Sequence, residues 1–242
     1  DEASKTEDII QSIIEMVQSL NPTCCDSSSQ CGYIESMTHS PTQEDWTQLV
    51  DATILAQNQH HLDKVVLSRQ TLCKFSDSVN PYRLLHALQK ADPSVYHYCF
   101  QVQNEWSFMG GTPECLFKLH HDQCQSEALA GTVRRTNQNL ASSMLLANKK
   151  NRYEHQCVVD YIEEQLNQLS ETVSQDQVPR LLEFRLLTHL LVRFEAKLKA
   201  GMSWVDCLLA LHPTPAVAGF PKEEALQYID NSEPLKRGWF SG

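Results

Sequence analysis

Residues 106–135, WSFMGGTPECLFKLHHDQCQSEALAGTVRR, constrain the fold more than any other stretch. Apolar runs flank the polar His120–His121–Asp122–Gln123, which predicts two antiparallel strands joined at that turn, with a glycine-marked bend at each end. Gly110–Gly111 predicts a sharp turn ahead of Thr112–Pro113–Glu114. Pro113 lacks an N–H and has a fixed φ, so it belongs at a strand start or edge. Glu114 then stands beside Leu116 and Phe117. A carboxylate at the mouth of an apolar strand loses solvation, and burial raises its pKa toward that of a general acid. The second strand ends in Ala130–Gly131–Thr132, small enough for a ligand to approach the backbone. Arg134 and Arg135 follow.

Elsewhere helix patterns alternate with short apolar runs. Ile10, Ile13, Ile14, Val17 and Leu20 predict an amphipathic packing helix over 7–20. Residues 21–41, rich in Ser, Cys, Pro and Thr, read as a linker or loop, giving a division into 1–40, helix and linker, and a main domain over 41–242. Thr42 and Asp45 cap a helix from Gln43 to about Asn58, with Trp46, Val50 and Ile54 inward. His60 and His61 fall in a polar break and read as solvent-facing. Val65–Val66–Leu67 reads as a buried strand with Lys64 at its head; on spacing alone Lys64 is a snorkelling lysine. Asn80–Pro81 opens a helix that closes near Asp92–Pro93.

Tyr96, Tyr98, Phe100 and Val102 alternate as in a strand, so strands follow one another without intervening helices. That predicts an antiparallel sheet and an α+β chain. Residues 139–147 read as helical, and a longer helix runs from about Lys150 to Leu169, with Glu154 at the edge of its buried face. Glu154–His155 with Cys157 is a weak metal pattern; an exposed carboxylate is the default. Residues 170–179 read as a polar loop, and 180–194 as an apolar run in which His189 is a core histidine. Ser203 caps a helix over 204–211. Ala216–Val217–Ala218–Gly219 is a small-residue turn leading to Pro221 and a helix over 222–231, a pattern suited to anion binding. EPLKRGWFSG reads as the start of a strand.

Composition bounds the function. Thirty acidic against twenty basic residues give a formal net charge of −10, which argues against a nucleic-acid partner and offers no basic stripe for a membrane surface. Nine cysteines are present. They include no C-x-x-C pair, and Cys24, Cys25 and Cys31 fit no zinc spacing. A reducing compartment follows more readily than a disulfide framework. No apolar run spans a bilayer and no signal peptide is recognisable. Bacterial cytoplasm and plastid both remain open. The chain begins at Asp1 and not Met, so it is expected to be a processed form or, more simply, a piece of a longer polypeptide.

Several separated segments resemble, in order, the chorismate-utilising enzymes. They are KVVLSR, GGTPECLF, SEALAGT, NRYEHQCVVDYI, THL, LHPTPAVAGFP and EPLKRGWFSG, spanning about Pro41 to Gly242. The last two are most similar to isochorismate synthases. Water-using members of the family carry a lysine at the head of the KVV strand and ammonia-using members generally do not, so Lys64 favours the isochorismate or salicylate branch. The chain departs from the family at Val192–Arg193, where Thr-Pro is usual, at Ala196 in place of glycine, and at Asn151 in place of aspartate.

The resemblance implies a layered, mainly antiparallel fold flanked by helices, with the site in a cleft between layers. It implies an isomerase, in quinone (menaquinone or phylloquinone), siderophore or salicylate metabolism, that moves the hydroxyl of chorismate from C4 to C2. Lys64 would be the base that activates water and Glu114 the acid that protonates the leaving hydroxyl. Gly131, Thr132, His189, Thr214 and Ala216 would line the substrate, and Glu154 would be one ligand of Mg²⁺. The family's usual length implies that a C-terminal segment carrying further ligands is missing, so this chain is expected to be incomplete and inactive alone. A relic domain, half of a split enzyme completed by that segment, and a salicylate synthase are the alternatives.

Overall fold

The computed structural model describes residues 33–59, 62–102, 106–134, 145–185 and 187–241. The helix expected over 7–20, His60 and His61, and residues 139–144 lie outside them. In chain order come β1 (Ile34–Ser40), α1 (Gln43–Gln59), β2 (Lys64–Val65), β3 (Gln70–Phe75), α2 (Pro81–Ala91), β4 (Tyr96–Val102), β5 (Trp106–Thr112), β6 (Lys118–His120), β7 (Gln123–Arg134), α3 (Lys149–Leu169), β8 (Ser170–Gln175), β9 (Arg180–Glu183), β10 (Leu187–Leu198), α4 (Trp204–Leu211), β11 (Gly219–Phe220) and α5 (Lys222–Ser232). Every pairing is antiparallel, as the α+β reading requires.

The core is built on one five-stranded sheet, β6-β7-β10-β8, with β9 also on β10. Along β10, Phe194, Ala196 and Leu198 alternate inward while Arg193, Glu195 and Lys197 face solvent, the period-two signature of a half-buried strand. Helix α3 lays Val158, Val159, Ile162 and Leu166 on that face, and Cys207 and Leu211 of α4 close the cluster. Fully burying a side chain of this size stabilises by about 1.5–3 kcal/mol. At the other end of β10, Thr188, Leu190, Leu191 and Val192 are all buried, because Phe184 and Leu129 cover the second face. Three two-stranded sheets, β1-β3, β2-β11 and β4-β5, surround this core.

Local signals hold at the element ends. Asn80 accepts hydrogen bonds from the N–H groups of Tyr82 and Arg83, and Ser203 with Asp206 forms a capping box at α4. The turn at His121–Asp122 joins β6 to β7, with His121 at positive φ.

Five readings are corrected. The strand Trp106–Thr112 pairs with β4. Gly110 and Gly111 lie inside β5 and make no bend. Tyr98 stands opposite Gly110, and a Cβ there would lie 2.6 Å from the Tyr98 hydroxyl, so glycine serves close approach here. The linker reading fails for residues 34–40: β1 pairs with β3 and is tied by Glu35–Lys74 at 2.7 Å. Residues 170–175 form an edge strand on β10, with Glu171, Thr172 and Ser174 facing solvent and Ser170 buried. Val65–Val66–Leu67 is only partly buried, since β2 has one short partner, β11, and borders a cavity. Residues 233–241 turn and do not begin a strand. Among the described residues no helix is long and apolar enough to cross a membrane.

Candidate active site

A cavity of about 740 Å³ opens between the core sheet and the short sheets. Lys64, Glu114, Gly131, Thr132, Glu154, His189 and Ala216 all line it; Thr214, the remaining residue singled out from sequence, reaches it through Glu114. Six separate chain segments therefore converge on one space. Trp46, Val50 and Ile54, expected inward on α1, also line this cavity, which is why Ile54 is 52% exposed.

Lys64 sits at the start of β2, paired with Phe220. Gly219 opposite Val65 has to be glycine, since a Cβ there would lie 2.2 Å from the Lys64 carbonyl oxygen. The Lys64 amine donates to the Pro215 carbonyl at 2.5 Å. Burial pushes its pKa below the ordinary lysine value, while the charges of Glu154, Cys157 and Glu114 pull it back up. Glu114 follows Pro113 where the chain leaves β5. Burial pushes its carboxyl up, opposed by the Thr214 hydroxyl, which donates to Oε1 at 3.3 Å, and by Lys64. Both shifts have one cause, loss of solvent, and both favour the neutral forms: a free amine and a protonated acid.

Thr214, 2% exposed, also accepts from the Ala216 N–H at 3.2 Å. The Ala216–Gly219 turn was expected to offer N–H groups to an anion. It and Pro215 before it instead offer carbonyl oxygens to cations and strand partners: Pro215 to Lys64, Val217 to Arg237, and Ala218 to the Val66 N–H.

On the sheet side, the β7–β10 register slips between His189 and Leu190, and Gly131 is the extra residue. Its φ of +67° is the left-handed conformation that glycine adopts without a Cβ penalty. The bulge sits beside the Thr132–His189 pair, where Thr132 Oγ1 and His189 Nδ1 are 2.9 Å apart. Burial lowers the His189 pKa, and Phe184 packs edge-on at 5.7 Å. His189 is half-buried, packed on Phe184 and also lining the cavity.

Glu154 faces the cavity from α3, 3.7 Å from Lys150. Its neighbour His155 is buried at 1% exposure and bonds through Nε2 to the Ala128 carbonyl at 3.2 Å. The weak metal pattern Glu154–His155–Cys157 is thus split by the helix into different directions. No group of three or more His, Cys, Asp or Glu suited to a metal occurs among the described residues. Sequence reasoning missed the Glu233–Arg237 pair beside β2; its only signal was the four-residue spacing in EPLKR.

The sequence matches the family of chorismate binding enzymes over residues 1–242. It is 35% identical over 214 residues to isochorismate synthase MenF of Pasteurella multocida, covering 86% of this chain and 49% of that protein. It is 31% identical over 206 residues to isochorismate synthase EntC of Escherichia coli K12, covering 84% and 53%. The solved structure of MenF, the menaquinone-specific isochorismate synthase of Escherichia coli, superposes with a TM-score of 0.82 at 29% identity, over 96% of this chain and 54% of that one. Anthranilate synthase component I of Streptococcus pneumoniae shares the fold, with a TM-score of 0.78 at 21% identity over 98% and 52%. The chain spans about half the length of the relatives it matches. With the family matched along its whole length and the fold shared with these relatives, this chain belongs to the chorismate binding enzymes.

Proposed function

We propose that this chain carries the acid–base half of an isochorismate synthase. One observation carries the reading: Lys64 and Glu114 face the same cavity with pKa values pushed in opposite directions by the same burial. A base that removes a proton from water must be neutral, and an acid that protonates a leaving hydroxyl must hold its proton. One desolvated pocket supplies both.

Neutral Lys64 takes a proton from water as the oxygen bonds to C2 of chorismate. The ring double bonds shift, the C4–O bond breaks, and Glu114 delivers its proton to the departing hydroxyl, which leaves as water. Lys64 ends as an ammonium and Glu114 as a carboxylate, and one proton returned from the first to the second resets the pair. Thr214 steadies the Glu114 carboxylate as it forms. Thr132, His189 and the Gly131 backbone form the wall against which the substrate is oriented, with Ala216 on the opposite side.

Magnesium takes about six oxygen ligands in near-octahedral geometry. Glu154 is one carboxylate, and no three such ligands group together among the described residues. These residues do not make a magnesium site on their own.

The test is chorismate turnover with added Mg²⁺, coupled to an isochorismate-consuming enzyme, beside Lys64→Ala. Turnover lost in the variant supports the assignment; turnover kept by the variant removes Lys64 from it. Pyruvate among the products assigns the salicylate branch. A second reading, a chain that needs a further segment to act, is favoured by the half-length match to relatives and the single carboxylate. It predicts no turnover in either protein.

A further inference from the structure

The two-residue pairing of β2 with β11 is all the sheet structure that holds Lys64. A pair this short does not hold itself together in water. Next to it lies an ion pair that the acid–base chemistry does not use. Arg237 donates from Nε and Nη2 to the two carboxylate oxygens of Glu233, at 2.8 and 2.6 Å. Nη2 also reaches the Val66 carbonyl at 2.6 Å, and Nη1 the Val217 carbonyl at 2.9 Å. From the other side, the Ser68 N–H and hydroxyl donate to Glu233 at 2.6 and 2.9 Å. The two side chains are only 9% and 3% exposed.

The geometry points to Glu233 and Arg237 as positioning residues for Lys64: their ion pair fastens the strand that carries the lysine to the loop that seats its amine. Val66 lies two residues after Lys64, and Val217 two residues after Pro215, whose carbonyl accepts the Lys64 hydrogen bond. The Val217 N–H closes a turn on the Thr214 carbonyl, so one planar guanidinium bonded to both Val66 and Val217 ties strand and turn together within two residues of the Lys64–Pro215 contact. A lysine at position 237 has no fork and cannot make these four bonds together. A buried ion pair is weak evidence for stability, because desolvating two charges offsets most of their attraction. Fixing a geometry is its better-supported use. The proposal rests on the reading of Lys64 as the base.

The charged and titratable groups that face Lys64 are Glu114, and Glu154 and Cys157 from α3, with His155 also within electrostatic reach. None is altered by changing Arg237 or Ser68; Arg237→Ala also removes the positive charge beside Glu233, whereas Arg237→Lys and Ser68→Ala keep the local charge, so a change in Lys64 titration in those two variants reports a displaced amine. The experiment is site-resolved acylation of the Lys64 amine in the full chain across pH, which yields its pKa without turnover. It is run on the parent, Arg237→Ala, Arg237→Lys and Ser68→Ala, with Arg180→Ala as a control at a largely exposed pair.

The parent lysine is expected to titrate below 10.5. In Arg237→Ala it should rise back toward 10.5, and acylation at a fixed lower pH should slow with it. Arg237→Lys and Ser68→Ala should rise by less, and Arg180→Ala not at all. Ser68→Ala removes one hydroxyl and carries the test if Arg237→Ala does not fold. A shifted parent lysine that stays shifted in all the clamp variants, while they melt earlier, makes the ion pair merely structural and overturns the proposal. A parent lysine that titrates at its ordinary value overturns the base assignment itself, and the clamp with it.

Discussion

The five-stranded sheet and the short sheets around it treat the same residue type in opposite ways. Leu190 on β10 is 1% exposed and Leu72 on β3 is 66% exposed. The first sheet is covered by α3 and α4; the others pair two strands and bury little. The cavity lies where these regimes meet. Gly131, Thr132, Glu154 and His189 come from the packed side, and Lys64, Glu114 and Ala216 from the short strands and loops. A rigid wall suits orientation of a substrate. The proposed acid and base, by contrast, depend on a few tertiary contacts, namely Thr214 for Glu114 and Pro215 with the proposed Glu233–Arg237 clamp for Lys64. The difference teaches that stability and the proposed chemistry are held by separate parts of this chain and should respond to different substitutions.

The sharpest separation is expected from Glu114→Gln. In the proposed reaction it removes the general acid, and turnover should fall by about 10²–10⁴ in the coupled chorismate assay with the fold intact. A smaller loss would move the acid elsewhere. The same variant checks the burial of Glu114 without turnover. Its pKa is raised above the ordinary 4.5, so the folded state holds its proton where the unfolded chain releases it. That contribution to stability is fully present below the unfolded value and is lost as pH rises through the folded one. Glutamine does not titrate. The melting temperature of Glu114→Gln relative to the parent should therefore rise between about pH 4 and neutrality; a flat difference would place the carboxyl in solvent.

On the packed side, Leu190→Ala leaves a cavity among well-covered neighbours and should cost about 2–5 kcal/mol, read from denaturant unfolding. A cost under about 1 kcal/mol would mean that the site end of β10 is no more rigid than the short sheets. Gly131→Ala ranks next. It forces a Cβ into a residue at φ +67°, 3.0 Å from the Asn151 carbonyl oxygen, and the left-handed conformation alone costs about 1–2 kcal/mol. Because the bulge adjoins Thr132 and His189, substrate affinity should fall with it. An unchanged stability would show that the bulge relaxes without harm.

The two regions also differed in how readable they were. Helix α3 announced itself through Val158, Val159, Ile162 and Leu166, because a helix on a sheet must repeat its apolar face. Ser203, Asn80 and the His121–Asp122 turn were legible from local chemistry alone. The convergence of Lys64, Glu154 and His189 on one cavity was legible only through the separated motifs, since spacing by itself left them with ordinary structural roles. The short strands were misread for identifiable reasons. Gly110–Gly111 permits a bend and a close approach equally well, and only the position of the Tyr98 ring distinguishes them. Strand β8 is an edge strand whose polar residues carry no alternation. The 216–219 turn suggested anion binding because sequence does not say whether N–H groups or carbonyls point inward. The clamp at Arg237 joins residues 171 positions apart, a separation over which no local pattern carries information.

The smallest effect tests the comparison from its weaker side. Leu72→Ala makes the same chemical change as Leu190→Ala, also on a β-strand. Leu72 pairs with Thr38 across the β1–β3 ladder, and its side chain is largely in water. Truncating it removes little buried area and leaves no enclosed void, so stability should change by no more than about 0.5 kcal/mol. If instead it costs as much as Leu190→Ala, the β1–β3 face is covered in solution by something the described residues do not include. The division into a packed wall and a lightly held rim would then have to be redrawn around that cover.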